Sequence, residues 1–195
     1  MRKWKTGILI IVAFQLLIGC SNNDLMKIET KRNGKSIIYI PKKASYSGHQ
    51  LKLIPKDPNY TPSESLQKEL IKILAVKYPE NELESHLSKR IEFIDPGANF
   101  EKVFCNICEK EIDMDIWSDF MSDWYKKENA SLEFTTPCCN SKSNLNDLNY
   151  DSPSGYSKFV LKIIDAEYYP EVVESVKKSI EAKTGEKFRE IWARY

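Results

Sequence analysis

Four cysteines in the middle of this chain constrain its fold more than any other feature: Cys105 and Cys108 form a C-x2-C pair, and Cys138 and Cys139 are adjacent. An even set in two clusters, with twenty-nine residues between Cys108 and Cys138, implies one shared site. A C-x2-C turn lets two thiolates converge on one ion, and tetrahedral zinc accepts four sulfurs at about 2.3 Å. Oxidising compartments favour disulfides instead. Crossed links from Cys105 and Cys108 to Cys138 and Cys139 are then preferred, because a bridge between adjacent residues is strained. Redox-active or free thiols are the third reading. Adjacent cysteines point apart unless the backbone bends, and Pro137 can supply that bend. The leading expectation is a structural zinc held by Cys105, Cys108, Cys138 and Cys139 in a lobe spanning about residues 95–156.

The N-terminus carries a different signal. Arg2, Lys3 and Lys5 precede the apolar segment Ile8 to Ile18, which only Gln15 interrupts. It has the length of a signal peptide and is short for a bilayer span. The ending Leu17-Ile18-Gly19-Cys20 resembles the lipobox of bacterial lipoproteins. That resemblance implies cleavage after Gly19 and a diacylglycerol thioether on Cys20. Several acyl chains such as palmitate would then tether the protein to a membrane durably. The alternatives are an ordinary secretory signal or an N-terminal membrane helix, with Cys20 incidental. On the lipobox reading residues 1–19 are signal and residues 20–25 a lipidated tether. Residues 26–195 are then a single domain in the cell envelope, facing outside the cytoplasm.

Removing residues 1–19 from the 195 leaves 176, enough for one domain with a substantial core. Three cations leave with the signal, so 29 basic residues fall to 26 against 28 acidic ones. A formal charge of −2 argues against a nucleic-acid footprint, which needs a clustered positive face. The basic run Lys31, Arg32, Lys35, Lys42 and Lys43 reads as solvated strand ends beside a hairpin.

Apolar periodicity predicts an α+β fold. Lys27 to Arg32 and Lys35 to Ile40 flank Asn33-Gly34, the preferred pair for a type I′ hairpin turn. Leu51 and Leu53 alternate in a strand. Thr61-Pro62-Ser63-Glu64 offers an N-cap, a proline at the first helical position and a capping-box acid. The helix that follows places Leu66, Leu70, Ile73 and Leu74 on one face and ends at Pro79. A short helical piece is expected over Glu80 to Leu87, then a strand over Arg90 to Ile94. The C-terminal third repeats this order. Phe159, Leu161 and Ile163 alternate in a strand, and Tyr169-Pro170 opens a helix with Val172, Val173, Val176 and Ile180 as its stripe. Gly185 stops that helix, and a strand closes the chain over Phe188 to Tyr195. Two β-α-β units sharing a mixed or antiparallel sheet, with helices on one face, would be ferredoxin-like. The cysteine lobe is an insertion between them.

Within the lobe, Trp117, Phe120, Met121, Trp124 and Tyr125 recur at helical spacing over Asp115 to Lys127. The segments Phe93-Ile94-Asp95-Pro96-Gly97-Ala98-Asn99-Phe100, Cys105-x-x-Cys108, Thr136-Pro137-Cys138-Cys139 and Ser143-x-Leu145-Asn146-Asp147-Leu148-x-Tyr150 resemble an uncharacterised bacterial zinc-ribbon-like family. The resemblance implies a ribbon lobe and names no activity. This chain has Asn106 in place of the expected proline, and Glu109 and Asn140 in place of glycines.

Other candidates have plainer readings. The acidic run Glu109, Glu111, Asp113, Asp115, Asp119 and Asp123 lacks EF-hand spacing and complements a helix N-terminus. His49 and His86 lie in no hydrolase motif, although His49 is a conceivable substitute zinc ligand. Tyr150, Tyr156, Tyr168, Tyr169 and Trp192 would suit either a core or a sugar-stacking groove. The functional expectation is a membrane-anchored lipoprotein that binds a protein or envelope component without catalysis. Alternatives are a thiol-disulfide or metal-handling protein using Cys105 and Cys108, and a carbohydrate-binding module.

Overall fold

The computed structural model describes residues 26–43, 46–127 and 131–195, so the apolar segment and Cys20 lie outside the described residues. The fold is α+β. Its main sheet has six strands in the order β1 (Met26–Lys31), β2 (Gly34–Tyr39), β4 (Leu83–Ile94), β10 (Gly155–Ile164), β3 (His49–Pro55) and β11 (Phe188–Arg194). Every neighbouring pair in it is antiparallel. Helices α1 (Glu64–Lys77) and α3 (Pro170–Thr184) pack on one face. Strict alternation places Leu51, Leu53, Phe159, Leu161 and Ile163 on that face, against Leu70, Ile71 and Leu74 of α1 and Val173, Val176 and Ile180 of α3. Each such side chain contributes about 1.5–3 kcal/mol on burial.

The opposite face carries the inserted lobe. It comprises β5 (Val103–Phe104), β6 (Glu111–Ile112), α2 (Met114–Lys126), β7 (Glu133–Thr135), β8 (Lys142–Asn144), a 3-10 turn at Leu145–Asp147 and β9 (Asn149–Tyr150). The lobe leaves β4 and re-enters at β10, and the pairing of these strands is irregular between Ser157 and Phe159. Leu83 and Leu87 of β4 face the helices, whereas Ile91 and Phe93 join the lobe core with Tyr156. The bulge therefore turns one strand pair into a support for two cores. A Cβ at Gly155 would collide with Ile54 and with the Arg189 guanidinium, which donates to the carbonyls of Ser154 and Asn146.

Three local expectations are corrected. The hairpin loop is Arg32-Asn33, since Gly34 already pairs with Lys31 and has no positive φ. Gly34 is needed for a different reason: a Cβ there would collide with the Leu87 carbonyl of β4. The N-cap of α1 is Ser63, whose hydroxyl accepts from Leu66 N, so Thr61 and Pro62 precede the helix rather than cap or open it. Finally, Glu80 to Leu87 is not helical, because from Leu83 it is the first half of β4.

That half-strand buries polar groups. Ser36 Oγ donates to Glu84 at 2.6 Å and lies 2.8 Å from His86 Nδ1. Lys31 and Lys162 also bind the Glu84 carboxylate. Burial alone would raise the Glu84 pKa, but Lys162, Lys31 and Ser36 together hold it at about 2. Burial lowers the pKa of His86, favouring a neutral ring. Ser36 has no exposed surface, so this trio braces the sheet rather than offering a nucleophile.

A carboxyl held below its ordinary value contributes stability that is complete above the unfolded pKa and lost as pH falls through the folded one. Glu84→Gln should cost about 3 kcal/mol at neutral pH in urea unfolding, because Lys162 and Lys31 then face no counter-charge. The gap to the parent protein should narrow as pH drops from about 4.5 towards about 2. A constant gap would contradict an ionised Glu84.

Candidate metal centre

Two small hairpins present the thiols. In the first, β5 pairs with β6, and the intervening turn closes by Cys105 N–H to the Lys110 carbonyl and Glu109 N–H to the Cys105 carbonyl. The Cys105 sulfur accepts the N–H groups of Ile107 at 3.4 Å and Cys108 at 3.5 Å. Glu109 takes a left-handed conformation with φ 60°. In the second, β7 pairs with β8, Thr136 N–H bonds the Ser141 carbonyl, Asn140 N–H bonds the Thr136 carbonyl, and Asn140 has φ 56°. The two turns thus share one bonding pattern. Thr136 stands where Cys105 stands, Cys139 where Cys108 stands, and Cys138 occupies the position of Ile107.

This equivalence accounts for the adjacent cysteines. The second turn supplies Cys138 from within its loop, because its first position holds Thr136. That threonine keeps a polar role, with Oγ1 lying 3.1 Å from Cys139 Sγ. Sequence reasoning missed the alignment of Cys105-x-x-Cys108-Glu109 with Thr136-x-x-Cys139-Asn140. Its signal was the residue after each final cysteine, where a positive φ favours glycine or asparagine.

All four sulfurs lie within 4.8 Å of one another, and among the described residues no other group of cysteine, histidine or acidic side chains gathers in this way. Cys108 and Cys138 are 3.2 Å apart, and Cys105 and Cys139 are 3.9 Å apart. Tetrahedral coordination with bonds of about 2.3 Å separates sulfurs by about 3.8 Å, whereas a disulfide needs about 2.05 Å. The donor set and its spacing therefore fit one thiophilic ion. Cys105 is fully buried against Val103, Ile112 and Tyr156, while Cys139 is exposed.

The thiols are not electrostatically alike. Hydrogen bonds from Ser141 and Thr136 lower the Cys139 pKa to about 6. Burial raises Cys138 to about 12, and the neighbouring Cys108 thiol adds to the shift. At Cys105 burial pushes the pKa up, but the backbone N–H groups of Cys108 and Ile107 outweigh it and the net direction is down. Metal binding to such a set displaces protons, most of all from Cys138.

Helix α2 closes the lobe. Asp113 caps it by accepting from Asp115 N and Ile116 N, which places the acidic run on an exposed helical start. Its Trp117, Met121 and Trp124 pack into the lobe core, where Phe93 contacts Trp117 at 5.4 Å and Trp124 contacts Tyr156 at 5.3 Å. His49 is an exposed strand-end residue outside the sulfur cluster. The five aromatic residues considered for one groove are split. Tyr150 and Tyr156 belong to the lobe core, while Trp192 packs with the helical core and Tyr168 stacks on it.

Comparison with protein-family models, curated proteins and solved structures finds no match to this chain. Among the described residues, no helix is long and apolar enough to cross a membrane.

Two measurements test this geometry. In metal-stripped, reduced protein at neutral pH, limiting iodoacetamide should label Cys139 first and Cys105 last, as read by peptide mass mapping; equal rates would contradict the burial of Cys105. Glu109→Gly should stabilise the lobe by about 1 kcal/mol, because it relieves a side chain held at positive φ. The gain should appear as greater resistance to chelator and should be smaller for Asn140→Gly, since asparagine tolerates that conformation.

Proposed function

We propose that this chain is a lipid-anchored protein of the cell envelope, attached through Cys20, whose folded domain is a non-enzymatic binding module held by a structural zinc. Four sulfurs gathered from two hairpins, at separations suited to tetrahedral coordination, are the observation that carries the zinc. Two turns of matching bonding pattern that offer those sulfurs support a zinc-ribbon-like lobe. The order β4-β10-β3-β11, with α1 and α3 on one face, supports a ferredoxin-like core extended by the β1–β2 hairpin. The anchor and the envelope location rest on the lipobox resemblance around Cys20.

A second reading, thiol-disulfide or metal-handling chemistry, is favoured by one feature. Cys139 is exposed and is shifted towards thiolate, as a reactive cysteine would be. It requires a thiol that turns over, whereas the structural reading requires four thiols permanently engaged.

Elemental analysis and intact mass of the purified full chain, with and without reductant, separate these readings. The expected result is one zinc per chain, four thiols that resist alkylation until a chelator is added, and a mass including diacylglyceryl. Structural zinc contributes on the order of 10–16 kcal/mol in small peptides, against about 2–4 kcal/mol for a disulfide. Chelation should therefore shift the Trp117 and Trp124 fluorescence while the main sheet keeps its circular dichroism. A metal-free chain lighter by four hydrogens would replace zinc by two disulfides. A bound metal with one freely alkylated thiol would favour the handling reading.

A further inference from the structure

The strand register aligns Met26, Tyr39, Leu83, Ile163, Leu51 and Trp192 in one row across the sheet. The chain enters β1 at this row, coming from Cys20. Beyond the row lie the exit of β2, the entry to β3, the exit of β10 and the end of β11. The end of α1 is also here, because Tyr39 Oη donates to the Pro79 carbonyl. Ten large hydrophobic residues are exposed among those described, and six of them, Ile40, Tyr46, Val76, Tyr168, Tyr169 and Tyr195, sit at this end. Tyr46, Tyr168, Tyr169 and Tyr195 are 72%, 61%, 50% and 57% exposed. The four tyrosines share this end of the sheet with Met26 but lie on its β3–β11 side, about 24 Å across five strand spacings from β1.

The tether decides what such a surface meets. Five residues separate Cys20 from Met26, and even fully extended the six steps between them reach about 20 Å. A domain of this size is about 40 Å across. A lipid on Cys20 therefore keeps the Met26 corner of the domain close to the headgroups, and the exposed tyrosines along the same end of the sheet decide which way the domain turns. Tyrosine and tryptophan favour the membrane–water interface, where the ring leaves water and the polar tip stays wet. We infer that this end of the sheet is a bilayer-contact surface, on which the domain rests with Tyr46, Tyr168, Tyr169 and Tyr195 at headgroup depth. The inference rests on the lipid-anchor reading above. Charge does not drive the contact, because exposed Lys42, Lys43, Lys77 and Arg194 are offset by Glu80, Glu82, Glu167 and Glu171 at the same end. Contact should therefore not require anionic lipid.

Trp192, stacked edge-on against Tyr168 at 5.0 Å, reports on this surface. The full chain, made in a bacterial host that processes lipoproteins, is reconstituted in phosphatidylcholine vesicles brominated near the headgroup end of the acyl chains. The Trp192 share of the emission is the part lost in Trp192→Phe. That share should be quenched, and combined Tyr168→Ser, Tyr169→Ser and Tyr195→Ser should weaken the quenching by about twofold or more. Adding anionic lipid should leave it unchanged. If intact mass shows no diacylglyceryl, the anchor falls and this surface with it. A correctly lipidated chain without Trp192 quenching overturns the surface alone, as does quenching that appears only with anionic lipid.

Discussion

The pairing of β4 with β10 is the constraint on which the rest of the structure depends. With β10–β3 and β3–β11 it interleaves the two β-α-β units, and it alone is also the stalk of the lobe. Regular antiparallel pairing would keep one set of side chains on one face for the whole length of both strands. The irregularity at Ser157 and Phe159 breaks that rule at a defined point. Ser157 seals the break, its hydroxyl donating to the Phe159 carbonyl and accepting from the Phe159 N–H. On one side of it Phe159 and Leu87 serve the helical core. On the other, Tyr156, Phe93 and Ile91 form the floor of the lobe.

How much of this was legible in the sequence depended on whether a segment's burial is apolar. Leu51 and Leu53, the odd residues of β10, and the stripes of α1 and α3 announce their elements because one face of each is greasy. The first half of β4 is different. It buries Glu84, Ser85, His86 and Ser88, so no hydrophobic alternation is visible, and the partners that make this tolerable, Ser36, Lys31 and Lys162, are 50, 53 and 78 residues away. Local pattern cannot report a satisfaction that exists only in the folded chain. Asn33-Gly34 misleads for a related reason, since the glycine serves the approach of a distant strand.

The candidate site was legible in its parts but not in its plan. The four cysteines were identifiable as one set. What made the adjacent pair look awkward was that neighbouring side chains point apart unless the backbone bends. With Thr136 at its first position, bonded to the Ser141 backbone, the second turn keeps its fold while the thiol moves to Cys138. The positive φ values of Glu109 and Asn140 show that both turns keep the tight geometry without the usual glycines.

The lobe's own chemistry argues for an ion at its centre. Its strands β5, β6 and β9 form a sheet of only two residues per strand, and β7 with β8 is a lone two-stranded hairpin, which by itself is marginal in water. The aromatic core around Tyr156 and Trp124 holds one end of the lobe to the sheet, but at the other end Cys139 reaches solvent. Four clustered thiols supply little cohesion when protonated, and as thiolates they repel. A divalent thiophilic ion removes both problems: it cancels the charge that the Cys139 environment already favours, and it joins two segments about thirty residues apart into one closed unit. Disulfides would close the same loops only after each sulfur pair moved together by more than 1 Å, from 3.2 Å and 3.9 Å to about 2.05 Å. The turns, with their N–H groups already aimed at the Cys105 sulfur, are built to hold a thiolate in place rather than to let it travel.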